Sequence, residues 1–330
     1  MRLENILALT YASLINEPCV SDFDNIVFDV KKVNRGDLFI AIKHDDIDQA
    51  VQNGAYGIIF DKPTKILDYE IAWIETKNIE DVLKRLLRFR LIEKEVIVYE
   101  CDEIVLKLAM QCSTDSNFVV VNGDIEKLYK TLWHVDNRSI LLFCSELTDK
   151  NLFTNIKSIP KEIIQKITIM EKTLFETSFI YENKFYERQL ISPFFIPYLE
   201  KLFHLYKSQK INFKPKKFTP IENFEAVFTN KKFEIKEFGS SDCVLIFEPN
   251  VKLAKQGMEY LQDYAPWANI IYIVPQTIQS KNSDTYTYRK KDEIINILKQ
   301  NKFNFAFIVG VDKSILNTIK STQTQLTLEF

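Results

Sequence analysis

VFDVKKVNRGDLFIAI, residues 27–42, combines a tight turn with a short apolar segment. Gly36 stands at a turn position that needs a positive φ, which glycine adopts without steric cost. The side chains of Asn34 and Asp37 can bond the neighbouring backbone, as turn residues often do. Residues 38–42 form an apolar run of the length that is typical of a buried strand. The stretch therefore predicts a turn that leads into a buried strand of a sheet.

A second unit follows at once, DDIDQAVQNGAYGIIFD at residues 45–61. It predicts a short helix that ends near Asn53 and Gly54, and then a strand over residues 57–60. Gly54 falls where a helix C-terminus favours glycine, because the chain there adopts a left-handed conformation. The two units in this order predict strands and helices that alternate along the chain.

Together the two units resemble the N-terminal domain of the Mur ligases, the MurE and MurF branch in particular. The family has an Asp-Ser-Arg start, then a Gly-Asp-Leu-Phe turn and strand, and later a Gly-Ala-x-Gly strand. The residues that match are Asp29, Val33, Gly36, Asp37, Leu38, Phe39, Ala41 and Ile42, and then Gly54, Ala55, Gly57 and Ile58. The order and the spacing of both parts make this resemblance specific.

The resemblance implies a uridine nucleotide substrate, which the family holds through the Ser and Arg that follow the Asp. Val30 and Lys31 stand at those two positions in this chain. Asp29 and Lys31 are therefore the candidate substrate-binding residues. The family's longer loop that helps to hold the sugar nucleotide is reduced here to residues 43–46. The sequence thus keeps the residues that indicate the family's fold and lacks the Ser and the Arg that bind the family's nucleotide.

The whole chain predicts an α/β protein with a three-domain Mur-ligase-like architecture. We predict an N-terminal domain at residues 1–95, a reduced and degenerate central P-loop-type domain at 96–220, a Rossmann-like C-terminal domain at 221–320, and a flexible tail at 321–330. In the C-terminal domain, apolar runs alternate with helical patterns, which favours a parallel sheet with right-handed crossovers. The charged residues 276–290 predict a loop-like insert between a strand and its helix.

NGDIEKLY, residues 122–129, occupies the place of the family's ATP loop, Thr-Gly-x-x-Gly-Lys followed by two hydroxyl residues. That loop needs glycines so that its amides can curl round the phosphates, a lysine for their charge and a hydroxyl for Mg²⁺. Gly123 and Lys127 are kept as the candidate remnant of the loop. Glu126 replaces the second glycine with a carboxylate, and Leu128 replaces a hydroxyl residue. The alternative interpretation is a simple strand cap with a solvated lysine.

Two further motifs of the family match in position and in some residues, but their functional residues are replaced or uncertain. KFTPIENFEAVF, residues 217–228, resembles the Phe-x-Pro-x-x-Gly-Arg-x-Glu end of the central domain, but Glu222 and Asn223 replace the Gly and the Arg. Glu146, after the apolar run SILLFC, is the nearest candidate for the family's magnesium-binding Glu. It is equally interpreted as a surface residue at a strand end. We therefore predict no catalytic residue.

The composition argues against several classes of protein. The 43 basic and 45 acidic residues balance, so there is no strong signal for nucleic-acid binding. The apolar runs are shorter than the roughly 20 residues of a membrane-spanning helix. Five scattered cysteines without CxxC spacing predict reduced thiols in a cytoplasmic protein. The three histidines are far apart in the sequence, so we predict no metal site. The chain has only 7 glycines, which argues against glycine-rich phosphate-binding loops.

QLTLEF, residues 325–330, follows the polar spacer STQT. It is similar to the hexapeptide form of the bacterial sliding-clamp motif, Q-L-x-L-x-[LF]. An extended peptide of this kind places alternate apolar side chains in a pocket while its Gln forms hydrogen bonds at one end. The candidate partner-binding residues are Gln325, Leu326, Leu328 and Phe330. The alternative is an edge strand that completes the last sheet.

Three functions remain open from the sequence. The first is a non-catalytic MurF-like protein without a cofactor that binds or scaffolds partners near peptidoglycan synthesis, such as cell-wall synthesis proteins. The second is a divergent UDP-N-acetylmuramoyl-peptide ligase that uses ATP and Mg²⁺ to join an acid to an amino acid. The third is an accessory protein of the sliding clamp that uses the C-terminal peptide.

Overall fold

The computed structural model describes residues 1–160, 166–241, 243–278 and 283–317. The chain forms two compact units, the first built from Met1–Glu103 and Asp115–Ile159, the second from Ile104–Thr114 and the chain from Pro160 onward. The mixture of helices with largely parallel sheets confirms the predicted α/β class. The domain limits at residues 95, 220 and 320 stay predictions.

The first sheet of the first unit has five strands in the order β1-β5-β4-β3-β2. All of its pairs are parallel except β1 with β5. The strands are β1 (Ser13–Leu14), β2 (Ile26–Val27), β3 (Leu38–Ile40), β4 (Gly57–Phe60) and β5 (Ala72–Glu75). The helices that accompany them are α1 (Leu3–Thr10), α2 (Ile47–Gln52) and α3 (Ile79–Glu93).

The turn before β3 has the conformation that the sequence predicts. Gly36 has a φ of +97°. The Asp37 carboxylate is 1% exposed and accepts hydrogen bonds from the Asn34 backbone amide and from Asn25 Nδ2, both at 2.9 Å. Gly54, just after α2, has a φ of +94°, so the predicted glycine at the helix end is also confirmed.

The second sheet of the first unit is fully parallel, with the order β10-β6-β9-β8. Helix α5 (Ile125–Leu132) follows β8, and its buried face shares one hydrophobic core with α1 and α3. The strands of this sheet are β6 (Ile97–Glu100), β8 (Phe118–Val120), β9 (Ile140–Phe143) and β10 (Ile156–Ser158).

The second unit contains a three-stranded antiparallel sheet. Its strands are β11 (Thr168–Lys172), β12 (Thr177–Tyr181) and β13 (Lys184–Gln189). Glu182 and Asn183 connect β12 to β13 with φ values of +48° and +62°. Two positive φ values suit a two-residue hairpin, because they match the twist of the strands. Strands β12 and β13 therefore form a tight hairpin. Nearby elements are α4 (Glu103–Ala109), β7 (Cys112–Thr114), α6 (Ile196–Ser208) and β14 (Phe213–Pro215).

The last sheet has the order β15-β16-β19-β17-β18. Four of its strands are parallel, as predicted, and the edge strand β15 is antiparallel to β16. The strands are β15 (Glu225–Thr229), β16 (Cys243–Glu248), β17 (Ile270–Pro275), β18 (Thr285–Tyr288) and β19 (Phe305–Val309). The helices are α7 (Ala254–Tyr264) and α8 (Lys291–Gln300).

The prediction of a loop over residues 276–290 was wrong at its C-terminal end. Strand β18 lies there and pairs in parallel with β17. Its last residue, Tyr288, is 6% exposed, and its hydroxyl donates a 2.7 Å hydrogen bond to the Val309 carbonyl. The sequence of this strand, TYTY, is polar enough to be mistaken for a loop, although Thr and Tyr both favour strands.

Among the described residues, every helix is too short or too polar to cross a lipid bilayer.

Gly57 begins β4 at a point where two core side chains leave no room for a larger residue. A Cβ atom there would lie 2.7 Å from Phe23 Cε1 and 2.9 Å from Leu38 Cδ1, and both of those side chains are buried. Gly57→Ala should therefore lower the free energy of unfolding by about 1–3 kcal/mol, the usual range for an overpacked core. Chemical denaturation, followed by circular dichroism, measures this loss.

The substitution Phe23→Leu removes the nearer contact and supplies the control. The double variant Gly57→Ala/Phe23→Leu should lose less stability than the sum of the two single losses, because contacting sites couple. Strict additivity would contradict the explanation.

Candidate functional site

The strands β6, β8 and β9 end side by side at one edge of the second sheet. The Cys101 amide donates to the Phe143 carbonyl at 2.9 Å, and the Val121 amide donates to the Leu142 carbonyl at 2.8 Å. In open parallel α/β sheets, ligands bind beyond the carboxyl ends of the strands. This edge is therefore the candidate site, and the turn from β8 into α5 forms part of it.

The turn between β8 and α5 is short and closed. Gly123 has a φ of +132°, and α5 begins only two residues later, at Ile125. Asp124 is the N-cap of α5, and its Oδ1 accepts a 2.8 Å hydrogen bond from the Lys127 amide. A helix start favours negative charge, because its first amides are unpaired and the helix dipole is positive there. The protein thus supplies this negative charge from its own Asp124.

Gly123 and Lys127, the candidate remnant of the ATP loop, lie in direct contact with each other, and their role in binding a nucleotide stays a prediction. A Cβ atom on Gly123 would lie 2.6 Å from Lys127 Cδ and 3.2 Å from its Cβ and Cγ. The aliphatic part of the lysine therefore covers the open face of the glycine. In a phosphate-binding loop that face is left free so that the backbone can approach the ligand. The turn is filled by its own side chain.

Leu128 and Tyr129 stand where the family has hydroxyl residues, and both point into the core. They are 5% and 0% exposed. The Tyr129 ring makes an edge contact with Phe28, with the ring centroids 5.1 Å apart, and stacks on Trp133 at 4.6 Å. Burial raises the pKa of Tyr129 far above its ordinary value, so the hydroxyl remains protonated. The burial of these two side chains holds α5 against the hydrophobic core of the first unit.

Two acidic residues stand at the start of α5. Glu126 is exposed on the first turn of the helix, and Asp124 is the N-cap. An Asp immediately before an apolar helical pattern is a strong N-cap signal, and it was available in the sequence.

Asp29 and Lys31 lie in the same unit, at a short 3-10 helix, Val30–Lys32. The Asp29 side chain caps this helix by accepting a 3.2 Å hydrogen bond from the Lys31 amide. Lys31 is exposed and Val30 is 8% exposed. The two candidate substrate residues are therefore adjacent, and the Asp29 carboxylate already has a structural partner. Their role in substrate binding stays a prediction.

Glu222 and Asn223 belong to a polar network in the second unit. Lys107 Nζ donates to Asn223 Oδ1 at 2.9 Å and to Glu222 Oε2 at 3.1 Å. Asn223 Nδ2 donates to Glu248 Oε1 at 2.9 Å. The buried Glu248 carboxylate also accepts from the backbone amides of Phe224 and Asn250. This network ties the chain before β15 to the end of β16.

The described part of the structure does not support a role in binding or catalysis for the remaining candidate residues. Glu146 is exposed after β9. Among the residues that the structure describes, no cluster of three or more His, Cys, Asp or Glu side chains could hold a metal ion. Gln325, Leu326, Leu328 and Phe330 lie outside the described residues.

The fold is similar to that of solved Mur ligases. A crystal structure of MurF from Acinetobacter baumannii aligns with a TM-score of 0.51 and 8% identity, over 98% of this chain and 98% of the other. The MurF ligase from Thermotoga maritima in complex with ADP aligns with a TM-score of 0.47 and 11% identity, over 90% of this chain and 96% of the other. No family model matches the sequence, and no curated protein matches it. The first alignment establishes a Mur-ligase-like fold.

Asp124→Ala should destabilise the first unit, because it removes the acceptor for the Lys127 amide. We expect a loss of about 1 kcal/mol in the free energy of unfolding, the usual value for an N-cap. Asp124→Asn keeps an oxygen that can accept the same hydrogen bond, so it should retain most of the stability. Urea denaturation followed by circular dichroism measures both losses. Equal losses in the two variants would contradict the capping role.

Proposed function

We propose that this protein keeps the fold of a MurF-like ligase as a binding or scaffold protein and does not catalyse ATP-dependent ligation. The observation that supports the proposal most is the closed turn between β8 and α5. There the Asp124 carboxylate accepts from the Lys127 amide, and the Lys127 side chain covers Gly123. The residues present do not fit a triphosphate.

Electrostatics oppose a phosphate at this turn. Two unit charges of the same sign 4 Å apart repel by about 4 kcal/mol at an effective dielectric constant of about 20. A phosphate next to α5 would meet the Asp124 carboxylate, or would have to displace it from its hydrogen bond. The buried Leu128 cannot ligate Mg²⁺. A ligase needs both the loop and the metal to stabilise the charge that develops during phosphoryl transfer.

Residues 29–31 lack the Ser and the Arg with which the family holds its uridine nucleotide. Asp29 caps its own short helix, and Val30 and Lys31 replace the residues that would hold a uridine nucleotide. Because the ligase architecture is retained without this site, we propose recognition of a macromolecule. The chemistry of the fold relatives favours a partner in peptidoglycan synthesis.

Thermal unfolding with and without ATP and Mg²⁺ tests the proposal. A ligand at 100 times its Kd stabilises the native state by about 2.7 kcal/mol, which raises the melting temperature by several degrees. We expect no rise at millimolar ATP with excess Mg²⁺. A clear rise, together with phosphate release in the presence of a UDP-linked muramoyl peptide and an amino acid, would instead identify a divergent ligase.

The double variant Glu126→Gly/Leu128→Thr provides a second test. We expect no ligation from it, because Asp124 still caps α5 and Asn223 still stands in place of an arginine. Circular dichroism establishes that the variant is folded. Turnover regained through these two changes alone would show that the rest of the site is competent.

The C-terminal hexapeptide supports a second candidate function, binding to a bacterial sliding clamp. The support is the sequence QLTLEF itself, behind a polar spacer. Capture of the purified clamp by the full chain should be lost in a chain that ends at residue 324, and in Leu328→Ser. Thr327→Ala is the matched control, because the motif leaves that position free, and it should bind like the full chain. Equal capture by the full and the shortened chain would remove this candidate.

A further inference from the structure

A pocket lined by aromatic side chains lies in the second unit. Its volume is about 420 Å³, and small-molecule sites usually measure about 300–1,000 Å³. We call it the aromatic pocket, and the residues that define it are Lys172, Phe175, Phe238, Tyr260, Tyr264 and Trp267. They come from the end of β11 and the turn after it, from the loop after β15, and from α7 and the residues after it. The candidate functional site belongs to the first unit, so this pocket is a different site.

Aromatic neighbours hold the lining rings in place. Phe175 makes edge contacts with Phe228 and Phe305, with the ring centroids 6.1 Å apart in both pairs. Trp267 makes an edge contact with the same Phe305 at 5.7 Å, and Phe238 packs against Phe228 at 4.9 Å. Both Phe228 and Phe305 are buried. The pocket is therefore preformed, as small-molecule sites usually are.

Three of the lining rings are exposed to solvent. Trp267 is 72% exposed, Tyr264 is 51% exposed and Phe238 is 44% exposed. Single apolar side chains on a surface are ordinary, whereas several that converge on one concavity mark a binding site. Aromatic rings prefer to stack with an offset or to meet edge to face. A planar aromatic ligand therefore fits this lining, and its binding would remove the exposed rings from water.

Lys172 determines the charge that suits a ligand of this pocket. Its Nζ lies 4.7 Å from the centroid of the Tyr264 ring, and it forms no ion pair with a carboxylate of the described residues. A carboxylate bound beside it would gain a charge-assisted hydrogen bond without displacing an acid of the protein. A sugar fits less well, because its hydroxyl groups would lose water against an apolar lining that offers them few partners.

We propose that the aromatic pocket binds a small planar aromatic carboxylate. Its ring system would lie among Phe238, Tyr264 and Trp267, and its carboxylate would pair with Lys172. This function goes beyond the one proposed above and is independent of it, because the pocket uses no residue of the closed turn between β8 and α5. A ligase activity found in the protein would leave this proposal intact.

Isothermal titration calorimetry of the full chain with 2-naphthoate tests the proposal, and we expect saturable binding. The uncharged 2-naphthamide, which has the same fused rings, should bind up to about fivefold more weakly, the range of an exposed charge pair. Cyclohexanecarboxylate keeps the charge without an aromatic ring, and it should also bind more weakly. No saturable binding of 2-naphthoate would overturn the proposal. An equal affinity for the acid and its amide would contradict the role of Lys172.

Fluorine NMR of protein labelled with 5-fluorotryptophan locates the bound probe. The chain has three tryptophans, and a variant that lacks each one in turn assigns its signal. 2-Naphthoate should shift the signal of Trp267 and leave those of Trp73 and Trp133 in place, because both belong to the first unit. A shift of Trp73 or Trp133 with an unchanged Trp267 would place the probe elsewhere and contradict the proposal.

Substitutions of two lining residues test the contacts one by one. Trp267→Ala should weaken 2-naphthoate binding by about tenfold, as loss of a central aromatic contact does. Lys172→Met should weaken it by up to about fivefold. Lys184→Met is the matched control, because Lys184 also lies over a tyrosine ring, that of Tyr186, outside the residues that define the pocket. It should bind normally, and unchanged affinity in both pocket variants would contradict the site.

Gly239 allows a charge to be added to the pocket without removing a side chain. It also lines the pocket and has a φ of +76°, and a Cβ atom there would meet no described atom within 4 Å. Asn and Asp tolerate such a φ better than most residues. Gly239→Asp should therefore bind 2-naphthoate up to about fivefold more weakly than Gly239→Asn, which has the same shape without the charge. Tighter binding by the Asp variant would show that the pocket selects a cation and would overturn the proposal.

Discussion

The start of α5 is capped by a side chain of the protein itself, that of Asp124. Its carboxylate takes the Lys127 amide, so the helix start is already neutralised. On the other side of the helix, Leu128 and Tyr129 are held in the hydrophobic core of the first unit. From the cap and the core packing together we infer that no phosphate cradle is left between β8 and α5. The proposal of a protein without ligase activity depends on this constraint.

The polar network in the second unit follows the same principle at a different place. Asn223 stands where the resemblance places an arginine, and it bridges Lys107 to Glu248. The buried Glu248 carboxylate is satisfied by one side-chain amide and two backbone amides. Buried polar groups need such partners, because an unsatisfied one costs about 1–3 kcal/mol. At both places the protein uses its polar groups to hold its own chain together.

The sequence predicted best where local chemistry decides the structure. Gly36 and Gly54 adopt a positive φ, as predicted, because each of these turns depends on a few neighbouring residues. Strand β18 was missed because a polar TYTY segment becomes a strand only through pairing with β17 and through the buried hydroxyl of Tyr288. Such long-range partners leave little trace in a local pattern.

The candidate site was predictable in part. The position of the turn, with Gly123 next to Lys127, followed from the resemblance, but the contact between these two residues did not. The capping of α5 by Asp124 was not predicted, although an Asp just before an apolar helical pattern is a typical N-cap. A pocket of the second unit that is lined by Lys172, Tyr264 and Trp267 could not be predicted, since its walls come from segments that are almost 100 residues apart.

The most direct measurement is an experimental structure of the protein with a non-hydrolysable ATP analogue and Mg²⁺ at millimolar concentration. We predict a turn without nucleotide, in which Asp124 Oδ1 stays within hydrogen-bond distance of the Lys127 amide. A triphosphate and its magnesium ion bound against Gly123 and Lys127, with Asp124 turned away, would contradict the central claim.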